Sequence, residues 1–98
     1  VLLKGAGTVI CGPKGRTAVN PTGNPGMAKG GSGDALSGVI GALLAQGVPA
    51  FEAAVTGAYL HGLTGDLAAA RLGERSMLPS DLIDELPRAL QKVPKMVE

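Results

Sequence analysis

Residues 20–33 hold five glycines and two prolines, from Asn20-Pro21 to Gly30-Gly31-Ser32-Gly33, and no regular element can persist through them. A loop of this length inside a compact domain is uncommon, and where it is ordered it usually carries function. Beyond Gly33 the pattern turns regular: Leu36, Val39, Ile40, Leu43 and Leu44 recur at the spacing of one helical face. The glycines therefore run straight into a helix. Without side chains at Gly30, Gly31 and Gly33, with Ser32 between them, backbone N–H groups can converge on one small volume. The first helical turn adds unpaired donors and the positive end of the helix dipole. Such a place suits an anion, phosphate above all. The same residues also make an ordinary glycine-rich turn in which Asp34 simply favours a helix start, and the spacing alone leaves both readings open.

The rest of the chain reads as short strands followed by about three helices, an α/β pattern. Val1-Leu2-Leu3, Thr8 to Cys11 and Thr17 to Val19 are strand-like runs separated by turns at residues 4–7 and 12–15. They suit a sheet covered by helices. The first helix should end at Gln46-Gly47. Because Gly38, Gly41, Ala42 and Ala45 keep its other surfaces small, the reading makes it a buried helix, packed on more than one side. A second helix is expected from about Pro49 to Leu72, with Gly57, His61 and Gly65 on one stripe. A third starts near Ser80 as N-cap, turns Leu82, Ile83 and Leu86 inward, and should be broken or kinked at Pro87. Met27 reads as a loop anchor and Cys11 as a small hydrophobe.

Composition matters mainly for what it excludes. Net charge is +1 with one Tyr and one Phe, which supplies neither the basic footprint nor the stacking platform of a nucleic-acid binder. No apolar run approaches the roughly 20 residues of a membrane helix. A single cysteine fits a reducing, cytoplasmic setting. The opening at Val1 reads as the inside of a strand, so the 98 residues are expected to be a fragment.

Asp34 is the sole carboxylate before Glu52. Beside a bound phosphate it could take the proton of a substrate hydroxyl as that hydroxyl is phosphorylated, and an anion next to it would call for a cation such as Mg²⁺ carried with a nucleotide. No Cys/His or Asp/Glu cluster has metal-ligand spacing. Lys4-Gly5-Ala6-Gly7-Thr8 offers a cation, flexible backbone and a hydroxyl, but Lys precedes the glycines, so it is not a Walker A loop and reads equally as a tight turn. His61 and Asp66, five positions apart, point to different faces of a helix and do not make a dyad.

The run from Asn24-Pro25-Gly26-Met27 to Gly33-Asp34, with Lys4 to Thr8, Gln46-Gly47 and His61-Gly62, resembles the C-terminal part of the ADP/ATP-dependent NAD(P)H-hydrate dehydratases. These are the YjeF C-terminal, carbohydrate-kinase-like proteins of ribokinase-like, three-layer α/β/α fold. The resemblance covers nearly the whole chain and makes residues 1–98 the C-terminal portion of one nucleotide-binding domain. It implies dehydration of NADHX and NADPHX to NAD(P)H at the expense of ADP or ATP with Mg²⁺, by phosphorylation of the ring hydroxyl and loss of phosphate. By that likeness Lys4, Gly5, Ala6, Gly7 and Thr8 line the nucleotide site, Gly30, Gly31, Ser32 and Gly33 meet the phosphates, and Asp34 faces the hydrate hydroxyl. Lys29 departs from the pattern, standing where the family carries a small residue. Two alternatives stay open, a ribokinase-like kinase for a small alcohol and a non-catalytic nucleotide-binding domain. The small-residue helix faces suit a homo-oligomer.

Overall fold

The computed structural model describes residues 2–3, 8–24, 27, 32–76 and 78–91. Three strands, β1 (Leu2–Leu3), β2 (Val9–Cys11) and β3 (Thr17–Val19), form an antiparallel sheet in chain order. The register pairs Leu2 with Ile10 and Ile10 with Ala18, which sets these three on one face. Three helices come next, α1 (Ser32–Ala45), α2 (Ala50–Leu72) and α3 (Pro79–Gln91). The α/β architecture is the one the sequence indicates.

Alternation along β2 decides which face is covered. Ile10 is 2% exposed and joins Leu36 of α1 and Ala58 of α2 in one cluster, with Ile40 and Val55 packed against it. Val9 pairs with Val19 on the opposite face, where Val19 is 64% exposed. Among the described residues, then, the helices lie against one side of the sheet. The turn between β2 and β3 is tied to the start of α2: Arg16 stacks 4.2 Å over the Phe51 ring and pairs with Glu52. That hydrogen bond holds the Glu52 carboxyl below its ordinary value.

The central helix is α2, and its composition explains why. Gly57 receives Ile40 of α1, Ala58 meets Ile10 of the sheet, and Ala68 packs with Leu82 of α3. A helix approached from several sides can hold its neighbours close only where its own side chains are small. The sequence pattern assigns this role to α1, and there the structure differs. Gly38, Gly41, Ala42 and Ala45 of α1 are exposed, and neither Gly38 nor Gly41 has an atom within 4 Å of where a Cβ would stand. Small residues permit close packing on a face but do not supply the neighbour. α1 does end where expected. Val48 N–H donates to Leu43 O and Gly47 N–H to Leu44 O, at 3.1 and 3.0 Å. This double closure needs a residue of positive φ, met by Gly47 at φ 92°.

Three readings of α3 are also corrected. Ser80 lies inside the helix. The start is fixed instead by Leu78 N–H donating to the Asp81 carboxylate at 2.7 Å while Leu78 O accepts from Asp81 N–H at 2.9 Å. Leu82 turns inward as expected, but Ile83 is 62% exposed, and the buried face is completed by Glu85 and Ala89. Nor does Pro87 end the helix, which continues to Gln91. Pro87 has no N–H to donate to the carbonyl of Ile83, four residues back, and both residues are exposed, so the freed carbonyl lies on the solvent side where the lost bond costs least.

A carboxylate at the α2–α3 contact stays charged only with company. Glu85 is 3% exposed and accepts from Arg71 Nε at 2.6 Å and Arg88 Nη1 at 3.0 Å. Glu85→Gln keeps the volume and removes the charge from both bonds. In denaturant melts of the full-length protein it should cost about 1–2 kcal/mol, whereas Asp84→Asn on the exposed side of the same helix should stay within about 0.5 kcal/mol.

Candidate functional site

The glycine loop leaves the sheet at Asn20, whose N–H extends the β2–β3 ladder by donating to Thr8 O at 2.8 Å. From there it is laid along α2. The buried Asn20 amide donates to Ala58 O at 2.9 Å, and its carbonyl oxygen lies 3.0 Å from the Thr22 hydroxyl. That hydroxyl also stands 3.0 Å from Tyr59 O. These are carbonyls of helix interior, which keep a second lone pair after the helical bond is made.

Contact this intimate between a loop and a helix requires missing side chains. A Cβ on Gly62 would run into Thr22, backbone carbon included at 2.7 Å, and one on Gly65 into the thioether of Met27. Met27 is the anchor the sequence indicated, packing against Ala68 and Leu82 below the loop. One position beyond Gly65 the Asp66 carboxylate takes two donors of the loop: Gly23 N–H reaches Oδ2 and Asn24 Nδ2 reaches Oδ1, each at 3.0 Å. Met27 N–H then donates back to Asn24 O at 3.1 Å.

α1 begins at Ser32, so Gly33 and Asp34 fall in its first turn, where N–H groups lack helical acceptors. Gly33 is half-buried and Asp34 exposed. Leu36, two positions on, packs in the cluster of Ile10, itself two positions from Thr8. The half-buried Thr8 and the start of α1 are thus both tied to that cluster. Lys4, Gly5, Ala6 and Gly7, the pair Gly30 and Gly31, and Lys29 lie outside the described residues. His61 is buried in α2 with its carbonyl accepting from Thr64 Oγ1 at 2.6 Å, a setting inside the fold. Among the described residues no three His, Cys, Asp or Glu side chains gather as a metal site, and no helix is long and apolar enough to cross a membrane.

Sequence reasoning misses Asn20, Thr22 and Asp66. It weighs Asp66 only against His61 and sets the pair aside, since the two point to different faces of the helix. The pattern that points to its real place is a helix whose glycines leave room for a polar loop, with a carboxylate one position beyond the last of them.

Gly62→Ala should cost about 1–3 kcal/mol in denaturant melts of the full-length protein, because the new methyl meets loop backbone that cannot yield. Gly65→Ala should cost less, since it meets only the flexible Met27 side chain.

A family model described as NAD(P)H-hydrate dehydratase matches residues 1–88. The chain is 53% identical over 98 residues to the bifunctional NAD(P)H-hydrate repair enzyme Nnr of Moorella thermoacetica, covering all of this chain and 18% of that protein. It is 55% identical over 67 residues to the ADP-dependent (S)-NAD(P)H-hydrate dehydratase of Neisseria meningitidis, covering 68% of this chain and 23% of that one. Among solved structures, an ADP/ATP-dependent NAD(P)H-hydrate dehydratase from Bacillus subtilis co-crystallised with ATP and Mg²⁺ superposes with a TM-score of 0.86 at 39% identity. The match covers 92% of this chain and 32% of that chain. The chain therefore spans less than a quarter of these two curated relatives and about a third of the solved one.

Proposed function

The chain belongs to the NAD(P)H-hydrate dehydratase family, and from that premise we propose that residues 1–98 are the C-terminal part of a single nucleotide-binding domain. They supply the phosphate-binding helix start and the proton-accepting carboxylate of an enzyme that returns NADHX and NADPHX to NADH and NADPH using ADP or ATP. The observation that carries the reading is the exposed Asp34 in the first turn of α1, directly after Gly33.

Asp34 accepts the proton of the ring hydroxyl as the hydroxyl oxygen attacks the terminal phosphorus of the nucleotide. The phosphorus–oxygen bond to the leaving nucleotide breaks, giving AMP from ADP or ADP from ATP. Phosphate then leaves the ester with the carbon–oxygen bond pair while the neighbouring ring carbon gives up its proton to water, and the double bond is restored. Phosphate is a far better leaving group than hydroxide, and this is what the nucleotide contributes. Unpaired N–H groups of the first turn of α1, from Ser32 and Gly33 onward, stabilise charge on the transferred group. Mg²⁺ would come bound to the nucleotide, offsetting the repulsion between its phosphates and Asp34. The described residues offer it no cluster of their own. Lys4 to Thr8 complete the nucleotide site in this reading, and Gly30 and Gly31 extend the phosphate cradle.

The test uses the full-length protein containing this chain, incubated with NADHX, Mg²⁺ and ADP or ATP while NADH absorbance is followed. Nucleotide-dependent recovery is expected. Asp34→Asn should lose about 10²-fold or more in kcat, the scale of general-base assistance, with nucleotide affinity within a few-fold of wild type. A stable phosphorylated alcohol as product, with no return of NADH, would replace the dehydratase by a kinase.

A further inference from the structure

Among the described residues, the loop ahead of the phosphate-binding helix start has one charged anchor, and it lies on another helix. Asp66 is presented by α2, far along the chain from the glycines, and both its oxygens are used on the loop, on Gly23 N–H and on the Asn24 amide. The other fastenings are neutral or apolar: Asn20 and Thr22 bond carbonyls of α2, and Met27 packs over Gly65. Gly23 takes φ 111°, a conformation closed to most residues, in the act of turning its N–H to the carboxylate. Asn24 is fixed from its side chain by Asp66 and from its carbonyl by Met27 N–H. The chain then passes through residues 28–31 directly into Ser32, where α1 begins.

We propose that Asp66 is a positioning residue for the reaction: by clamping Gly23 and Asn24 against α2 it holds the described stretch of the loop in a fixed place ahead of the first turn of α1. The inference rests on the dehydratase reading of that turn. Hydrogen bonds from two donors to one carboxylate are charge-assisted and directional, so they fix an angle as well as a position. The neutral fastenings at Asn20 and Thr22 and the apolar packing of Met27 hold the loop against α2 without a charge-assisted bond. Displacement of about 1 Å at donors meant for a transferring phosphoryl group suffices to cost a large factor in rate. Asp66 acts without touching the reactants. Its loss should therefore fall on kcat, since α1 keeps its own unpaired donors and still binds the nucleotide in the ground state.

The experiment compares Asp66→Ala and Asp66→Asn with Glu85→Gln, a variant that loses stability at the α2–α3 contact away from the loop. All are made in the full-length protein and assayed below their melting transitions. Asp66→Ala is expected to lower kcat at least tenfold with KM for the nucleotide within about threefold. Asp66→Asn, which keeps an acceptor for Gly23 N–H but presents N–H₂ towards the Asn24 amide, should fall between Asp66→Ala and wild type. Glu85→Gln should keep kcat within twofold. Amide hydrogen exchange over the peptide spanning residues 20–33 should accelerate in Asp66→Ala and stay at the wild-type rate in Glu85→Gln. A kcat for Asp66→Ala no lower than that of Glu85→Gln, or loop exchange unchanged by the substitution, would overturn the proposal. If wild-type protein restores no NADH, the dehydratase reading fails separately, and exchange in the 20–33 peptide alone then decides whether Asp66 clamps the loop.

Discussion

Everything at the candidate site depends on a loop lying flat on a helix. Residues 20–24 and Met27 can follow α2 only because Gly62 and Gly65 leave no side chain between the helix backbone and Thr22 and Met27. The approach lets Asn20 and Thr22 reach carbonyls already used inside the helix, and it brings Gly23 and Asn24 within 3.0 Å of Asp66. The glycines of the loop and those of the helix thus serve different ends. Gly23 of the loop takes the φ of 111° that goes with its bond to Asp66, and those of the helix make room for the loop itself.

The same demand shapes α2 along its length. Ile40 of α1 sits on Gly57, Ile10 of the sheet on Ala58 and Leu82 of α3 on Ala68. Beside the apolar contact of Leu82 with Ala68, the last two helices are joined by a buried carboxylate held by two arginines. Such a group is stable only while its partners remain in place, and this ties α3 to a definite setting on α2. α2 is then a rail held from both sides, with the sheet and α1 at one end and the loop and α3 at the other.

Much of this is legible in the sequence, for identifiable reasons. The extent of α1 and α2 follows from apolar periodicity and from Gly47 and Gly73 beyond their ends. The three strands follow from β-branched and apolar runs between glycines and prolines. The long motif from Asn24 to Asp34 carries the resemblance that the family comparisons bear out. Other features are closed to sequence reasoning because they depend on which neighbour arrives. Small residues on α1 and α2 look alike in sequence, yet Gly38 and Gly41 meet nothing among the described residues while Gly57, Gly62 and Gly65 meet Ile40, Thr22 and Met27. Glu85 can be placed inside only once Arg71 is known to reach it from another helix. For Asp66 the sequence offers only the nearby His61 as a residue that could share chemistry, and its true partners lie more than forty positions away.

The central claim is that this loop and helix start serve phosphoryl transfer to the hydroxyl that is then expelled, and the fate of that oxygen tests it most directly. NADHX carrying ¹⁸O in the ring hydroxyl would be turned over by the full-length protein with Mg²⁺ and ADP or ATP, and the inorganic phosphate analysed by mass spectrometry. The account predicts one ¹⁸O in each phosphate released, since the hydroxyl oxygen becomes the bridging oxygen of the ester and departs with phosphorus. Unlabelled phosphate, with the ¹⁸O recovered in water, would contradict it.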